Sequence, residues 1–434
     1  MFGSSGIRGI VGKEITPKIA LKIGEACGQI YKKVVIGNDP RTSSIMIKNA
    51  VTAGLLSYGV DVTDAGMVST PTLAYAARDY DAGIMITASH NPPEYNGVKI
   101  FNKDGSGISM KEARKIEEKM KEEGSHAKSY AKWDEIKQLK ERDFVRQHMD
   151  AIIDDIGFAK GGEIALDCSN GATSNISPYL LREMNYRVIA MNSHPDGFFP
   201  AHLPEPVDEN LQQLKDVCGI KRIFGIAHDC DGDRMVVASN KGGLIENEKL
   251  MVLFARYIDA KKIVVPVDAS MIVDELLDAK VYRTRVGDIF ISEKLKEIKG
   301  DFGAEPSGTW IFSSFSYCPD GVYAAAKFVK MMEEIDVGLE IEKMPYYSMK
   351  RISFRASGNK IDVAMKKLRE EMEKMEYENF VDVDGYRIEF ENSWALVRKS
   401  GTEPKIRLTV EAKNKEEMEK ILDKMEGLIK RCLK

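Results

Sequence analysis

From the N-terminus to about residue 330, short apolar runs alternate with longer stretches of helical periodicity, which leaves few folds open. TPKIALKIGEACGQIYKK (16–33) opens on Thr16 and Pro17, a helix-start pair, because proline lacks only an N–H that the first turn cannot use. KVVIGND (33–39) reads as a buried strand, SIMIKNAVTAGLLSYG (44–59) as a helix, and GIMITAS (83–89) as the strand that delivers Ser89 at its end. Ser109 followed by Glu112 makes a capping box for the charged helix MKEARKIEEKMKEEG, whose lysines and glutamates form a solvated face. Alternation of this kind predicts an α/β fold with parallel-type sheets covered by helices. In such sheets the functional loops collect at the carboxyl ends of strands.

The pattern restarts at GGEIALDCSNGAT near 161 and at KKIVVPVDAS near 261, which places boundaries near 150 and 246. From 346 the order changes to strand (SMKRISFRA), helix (IDVAMKKLREEMEKM), strands and a last helix, the pattern of a small α+β domain. Four segments are therefore expected: 1–150, 151–246, 247–345 and 346–434. A length of 434 residues agrees, since domains run to about 100–200 residues. The apolar fraction of 43% suits a globular chain, and a net charge of −4 gives no reason to expect a nucleic-acid partner. Six cysteines without CxxC spacing argue against a zinc knuckle or a disulfide framework and fit free thiols in a reducing cytoplasm. No run approaches the length of a membrane span, and MFGSSGIRG lacks the apolar core of a signal peptide, so a cytoplasmic protein without a membrane partner is expected.

DCDGDR (229–234) lies between the apolar runs RIFGIA and MVVAS. Asp229, Asp231 and Asp233 alternate, and a curled loop turns their oxygens towards one point. Hard oxygen ligands suit Mg²⁺, and three close carboxylates repel one another at a cost that a plain turn has no need of. An EF-hand fails, because Arg234 stands at the sixth position and Asn240 at the twelfth. Arg234 beside such a site can grip an oxygen of a metal-bound phosphate. In WALVRKSGTEPKIRLTVEA (394–412), Ser400, Gly401 and Thr402 can aim N–H groups and hydroxyls at an anion, with Arg398 and Arg407 at the loop's edges, the makings of a phosphate cradle. GAEPSG (303–308) puts Glu305 and Ser307 on a tight turn, suited to vicinal sugar hydroxyls or to a turn alone. GSSGIRG (3–9) has neither GxGxxG spacing nor a Walker lysine, which disfavours a nucleotide, and Arg8 in a glycine-flanked loop is a candidate for touching phosphate.

TASHNPPEYNGVK (87–99) taken alone is turn chemistry. A hydrolase serine calls for GxSxG, whereas Ser89 stands between Ala88 and His90, and on an extended chain adjacent side chains point apart. Beside a magnesium-type loop and a phosphate cradle, Ser89 suggests phosphoryl transfer.

TASHNPPEYNGVK, DCDGDR, GAEPSG and RKSGTEPKIR, in that order, resemble the four signatures of the α-D-phosphohexomutase superfamily, one per segment over the whole chain. The resemblance implies three related mixed-sheet α/β domains and a TATA-binding-protein-like α+β domain around a central cleft. It implies an isomerase, an intramolecular phosphotransferase, with phosphoserine at Ser89 and Mg²⁺ held by Ser89, Asp229, Asp231 and Asp233. Arg8 and Lys99 match the residues that assist proton transfer, and Arg234 the arginine beside the transferred phosphate. Glu305 and Ser307 match the sugar loop; Arg398, Ser400, Gly401, Thr402 and Arg407 fall in the loop for the non-reacting phosphate. VGD at 286–288, with Asp288 preceded by Arg285, and SGTEP look like the phosphoglucosamine mutases, and EPSGTWIF like their archaeal branch. The implied reaction interconverts glucosamine 6-phosphate and glucosamine 1-phosphate, primed by a sugar bisphosphate, in a chain compatible with a homodimer. The alternatives are a phosphomannomutase/phosphoglucomutase and a non-catalytic phosphosugar-binding protein.

Overall fold

Strand Lys33–Asn38 shows how the first sheet is built. Val34 and Ile36 pack with Ile23, Val51 and Leu55 on one face, while Val35 joins Leu73, Met85 and Phe144 on the other. A strand buried on both faces must be covered twice, here by the helices Pro17–Gly28 and Ser44–Leu56 and by Thr70–Ala76. Burying each such side chain stabilises by about 1.5–3 kcal/mol. The computed structural model describes residues 2–3, 6–122, 130–400 and 404–433. They form two compact units, Met1–Asn247 with Gly287–Gly338, and Glu248–Val286 with Leu339–Lys434.

In the first unit the six-stranded sheet runs, edge to edge, Ile7–Ile10, Tyr95–Phe101, Ala82–Ile86, Lys33–Asn38, Asp61–Met67 and Lys140–Glu141. Lys33–Asn38 is parallel to both neighbours, whereas Tyr95–Phe101 is antiparallel to Ala82–Ile86 and to Ile7–Ile10. The second sheet repeats this arrangement. Gly162–Asp167 is parallel to Tyr186–Met191 and to Gly225–His228, and Met235–Ala238 returns antiparallel beside the last. Phe302–Glu305 and Thr309–Phe312 form another antiparallel hairpin. The loops of these hairpins carry TASHNPPE, DCDGDR and PSG, so the motifs occupy equivalent places. Thr16 and Ser109 cap their helices as their sequence signals predict, the latter with a complete capping box.

In the second unit Lys262–Pro266 is parallel to Lys280–Thr284. A five-stranded antiparallel sheet follows, in the order Ser348–Arg355, Lys405–Ala412, Ser393–Lys399, Tyr386–Phe390 and Asn379–Val381. Helices Gly358–Met372 and Lys415–Leu433 cover one face through Leu368, Leu422 and Met425. On the other face Trp394 and Leu396 pack against Val267 and Met271. There the buried Arg387 donates to the carbonyls of Val267 and Ala269 at 2.8 and 2.9 Å and lies 3.9 Å from the Trp394 ring. Its burial pulls the guanidinium down to about 10. The cysteines are free and buried, and among the described residues no helix is long and apolar enough to cross a membrane.

Candidate active site

Ser89 ends the turn out of strand Ala82–Ile86 with φ 50°, a left-handed conformation. For a residue with a side chain this costs about 1–2 kcal/mol and persists only where the surroundings enforce it. The Ser89 N–H donates to Thr87 Oγ1 at 2.8 Å, and Ser89 Oγ donates to Asp229 Oδ2 at 2.6 Å, joining residues 140 positions apart. The serine is buried. Because the chain is not extended here, the expectation that His90 points away from Ser89 fails: His90 Nδ1 lies 3.4 Å from Ser89 Oγ. Burial, with the neighbouring Arg234 and Arg8 cations, pushes this imidazole down to about 2, so it is neutral.

The acidic loop is a knot of short contacts. Asp229 Oδ1 accepts the N–H groups of Gly232 and Arg234 at 3.0 and 3.2 Å. Asp231 Oδ2 accepts Thr70 Oγ1 at 2.6 Å and Lys99 Nζ at 2.7 Å, and Asp233 Oδ2 accepts Lys99 Nζ at 2.5 Å. Backbone closes around the loop from both sides. Ala172 N–H donates to Cys230 O at 2.7 Å and Gly321 N–H to Gly232 O at 3.1 Å. A Cβ on Gly171 would stand 2.3 Å from Cys230 O, and one on Gly321 2.4 Å from Arg234 O.

One ligand oxygen from each of Asp229, Asp231 and Asp233 lies within 4.8 Å of the others. Burial first, then repulsion from Asp233 and Asp231, pushes the Asp229 carboxyl well above the usual range. Asp231 goes the other way: burial alone would raise it, but Lys99 and the Thr70 hydroxyl outweigh this and hold it low. Lys99 is raised in turn, the pull of Asp231 and Asp233 overcoming its own burial, so it stands as an ammonium between two carboxylates. Asp231 Oδ1 is buried with no hydrogen-bond partner. Three buried carboxylates whose oxygens converge, one of them orphaned, fit a hard divalent cation such as Mg²⁺.

The structure gathers most of the sequence candidates around this knot. Arg8, expected in a loop, lies instead on strand Ile7–Ile10, because Ile7 to Ile10 pair with Tyr95 to Val98. It donates to Asn91 Oδ1 at 3.2 Å while its Nε is buried without a partner. Burial lowers its pKa against the attraction of Asp231 and Asp233. For Arg234, Asp229, Asp233 and Glu305 overcome burial and raise the guanidinium. Met235 N–H donates to Gly308 O at 2.9 Å, which brings the acidic hairpin beside the GAEPSG hairpin. Glu305 is buried and accepts the Gly287 N–H at 2.9 Å, Ser307 is exposed, and Asp288 begins helix Asp288–Ile298.

The remaining candidates belong to the second unit. Arg285 is exposed. Arg398 and Arg407 face each other across paired strands, and Arg398 Nη2 donates to Asp384 Oδ2 at 2.6 Å. Ser400 N–H donates to Lys405 O at 2.9 Å, closing the hairpin. Gly401 and Thr402 lie outside the described residues. Sequence reasoning missed Thr70, which binds the acidic loop through both its N–H and its hydroxyl. It also missed Asp39 and Arg41 beneath the serine loop. Their signal was GNDPR, a charged pair just past the carboxyl end of a buried strand.

Known proteins resemble this chain over its whole length. Models of the phosphoglucomutase/phosphomannomutase α/β/α domains I, II and III match residues 1–127, 146–242 and 246–344, and the model of the C-terminal domain matches 353–428. A Methanocella arvoryzae protein named "Probable phosphoglucosamine mutase" is 47% identical, over 100% of this chain and 98% of its own. The phosphoglucosamine mutase of Methanocaldococcus jannaschii is 40% identical, over 100% and 99%. A crystal structure of a phosphoglucomutase/phosphomannomutase family protein from Burkholderia thailandensis superposes with a TM-score of 0.88 at 25% identity, covering 100% of this chain and 98% of that one.

Proposed function

The chain belongs to the phosphoglucomutase/phosphomannomutase family, and on that premise we propose that it interconverts glucosamine 6-phosphate and glucosamine 1-phosphate through phosphorylated Ser89 and a bisphosphorylated sugar. The observation that carries this is the 2.6 Å contact between Ser89 Oγ and Asp229, which puts a hydroxyl against a buried acid cluster suited to a cation. In the forward half-reaction the bond between phosphorus and Ser89 Oγ breaks, a bond forms to the free sugar hydroxyl, and the proton that hydroxyl loses is balanced by one gained at Ser89 Oγ. In the second half the bond from phosphorus to the other sugar oxygen breaks, a bond to Ser89 Oγ forms, and the proton Ser89 gives up is balanced by one taken up at that sugar oxygen.

Asp229, Asp231 and Asp233 would hold Mg²⁺ together with the Ser89 phosphate, and the ion when bound neutralises charge on the transferring group. Arg234 adds a guanidinium to the same charge. Lys99 and Arg8 serve the proton transfer. Glu305 and Ser307, with Arg285 and Asp288, recognise the sugar, and Arg398, Ser400, Gly401, Thr402 and Arg407 hold the phosphate that does not react. A sugar bisphosphate restores the phosphoserine when it is lost. The four segments bounded near 150, 246 and 346 are the domains of this cytoplasmic enzyme.

The choice of glucosamine is supported by the names of the relatives at 47% and 40% identity and by VGD and SGTEP in this sequence. The test is a side-by-side assay on glucosamine, glucose and mannose phosphates, with the intact mass of Ser89 protein followed in parallel. Higher kcat/KM on mannose 1-phosphate overturns the choice of sugar. A protein that takes up no phosphoryl group and turns nothing over after priming is a binder, and the mutase reading is then wrong.

A further inference from the structure

We propose that Arg41 is the positioning residue of the serine loop: by gathering four backbone carbonyls on one guanidinium it holds Ser89 in the left-handed turn that aims its hydroxyl at the acid cluster. The inference rests on the reading of Ser89 as the phosphoryl carrier. The Arg41 side chain is 0% exposed. Its Nη2 donates to Ser89 O and Asn91 O at 2.5 and 2.6 Å, and its Nη1 to Pro92 O and Tyr95 O at 2.7 and 3.1 Å. Its Nε donates to Asp39 Oδ2 at 3.0 Å. Every N–H of the guanidinium is thus used. Carbonyls turned inward leave the opposite side of the loop to present Ser89 Oγ and the Asn91 side chain to Asp229 and Arg8.

Asp39 fixes the guanidinium in turn. It accepts Ser44 Oγ at 2.6 Å and Thr87 Oγ1 at 2.7 Å, and Thr87 Oγ1 is the group that accepts the Ser89 N–H. The Phe199 ring covers the guanidinium at 5.1 Å, and a Cβ on Gly197 would stand 2.7 Å from Arg41 Cα. Lysine cannot replace this arrangement, because an ammonium has three donors on one atom and no planar fork. Three of the five bonds end within the loop and a fourth on Tyr95, the first residue of the strand that leaves it, so their loss should disorder the loop and leave the sheet standing.

Arg41→Lys and Arg41→Ala are to be compared with wild type by steady-state kinetics and by the rate at which Ser89 takes up phosphoryl from glucosamine 1,6-bisphosphate, read by intact mass. Thermal melting and amide hydrogen exchange over residues 88–96 complete the set. Misplacement of a reacting group by about 1 Å costs on the order of 10²-fold. Both variants should therefore lose about 10²-fold in kcat and in phosphoryl uptake, keep KM within about threefold, melt near wild type, and exchange faster in the loop. Unchanged kcat in Arg41→Ala overturns the proposal. So does failure of both variants to fold, which would make Arg41 a requirement of the whole sheet. A wild-type protein that takes up no phosphoryl group fails the functional reading instead, and loop exchange alone then decides whether Arg41 holds the turn.

Discussion

In the proposed mechanism Ser89 carries the phosphoryl group and the three aspartates supply the negative charge that would hold a cation. Ser89→Ala should remove both turnover and the phosphoryl mass while leaving the melting temperature within a few degrees, since Ser89 Oγ makes one strong contact. Asp229→Asn separates function from stability. It removes a buried charge and relieves repulsion from Asp233 and Asp231, so the metal-free protein should gain about 0.5–2 kcal/mol. Turnover should fall by about 10²-fold or more. Calorimetry with and without Mg²⁺ checks the cause: the ion should raise the wild-type melting temperature and have little effect on the variant. Ser89 and the aspartates stood out as candidates together, because DCDGDR crowds three carboxylates into one loop and so gave a context to the turn-like stretch around Ser89. Arg41 did not, because its partners are carbonyl oxygens, which every residue owns and no sequence advertises. Thr70 was hidden by distance, its partner lying 161 residues away.

At the scale of elements, the loop from Asn192 to His202 shows a charge-dependent tie. His202 Nδ1 faces Leu203 O at 2.7 Å and Nε2 faces Asp167 Oδ2 at 3.2 Å. Both partners are acceptors, so the protonated imidazole, with a donor on each ring nitrogen, satisfies both. Burial opposes this, but the Asp167 hydrogen bond and charge prevail and the folded pKa is raised. A raised pKa means that the tie is at full strength below the unfolded value, about 6.5, and is lost as pH rises through the higher folded value. Amide exchange across 192–202, corrected for intrinsic rates, should therefore accelerate above that value, and His202→Gln should abolish the dependence. The strands, helices and caps of this part were readable from period and capping residues. The position of Arg8 was not, because its short strand forms only by pairing with Tyr95–Val98 far along the chain.

For the whole molecule, the division into compact units cuts across the third matched domain. Residues 248–286 pack with the C-terminal sheet, and 287–338 with the first two sheets. Periodicity could not reveal this, since it reports which face of an element is apolar and not which distant element covers it. A consequence is that a fragment starting near 346 loses the cover of Trp394 and the carbonyl partners of Arg387. Such a fragment should bind a hydrophobic dye and melt well below the intact chain. In the full chain, Arg387→Ala should cost about 3–5 kcal/mol by stranding buried partners, measured by denaturant unfolding, while Ser89 still accepts a phosphoryl group.

Gly171 and Gly321 clasp the acidic loop with bare backbone. Neither performs chemistry, yet a single methyl on either would pry that loop out of register with Ser89. In a saturation-mutagenesis map scored by growth or turnover, these two positions should tolerate replacement as poorly as the aspartates themselves, and a survey that sought reactive side chains alone would pass over them.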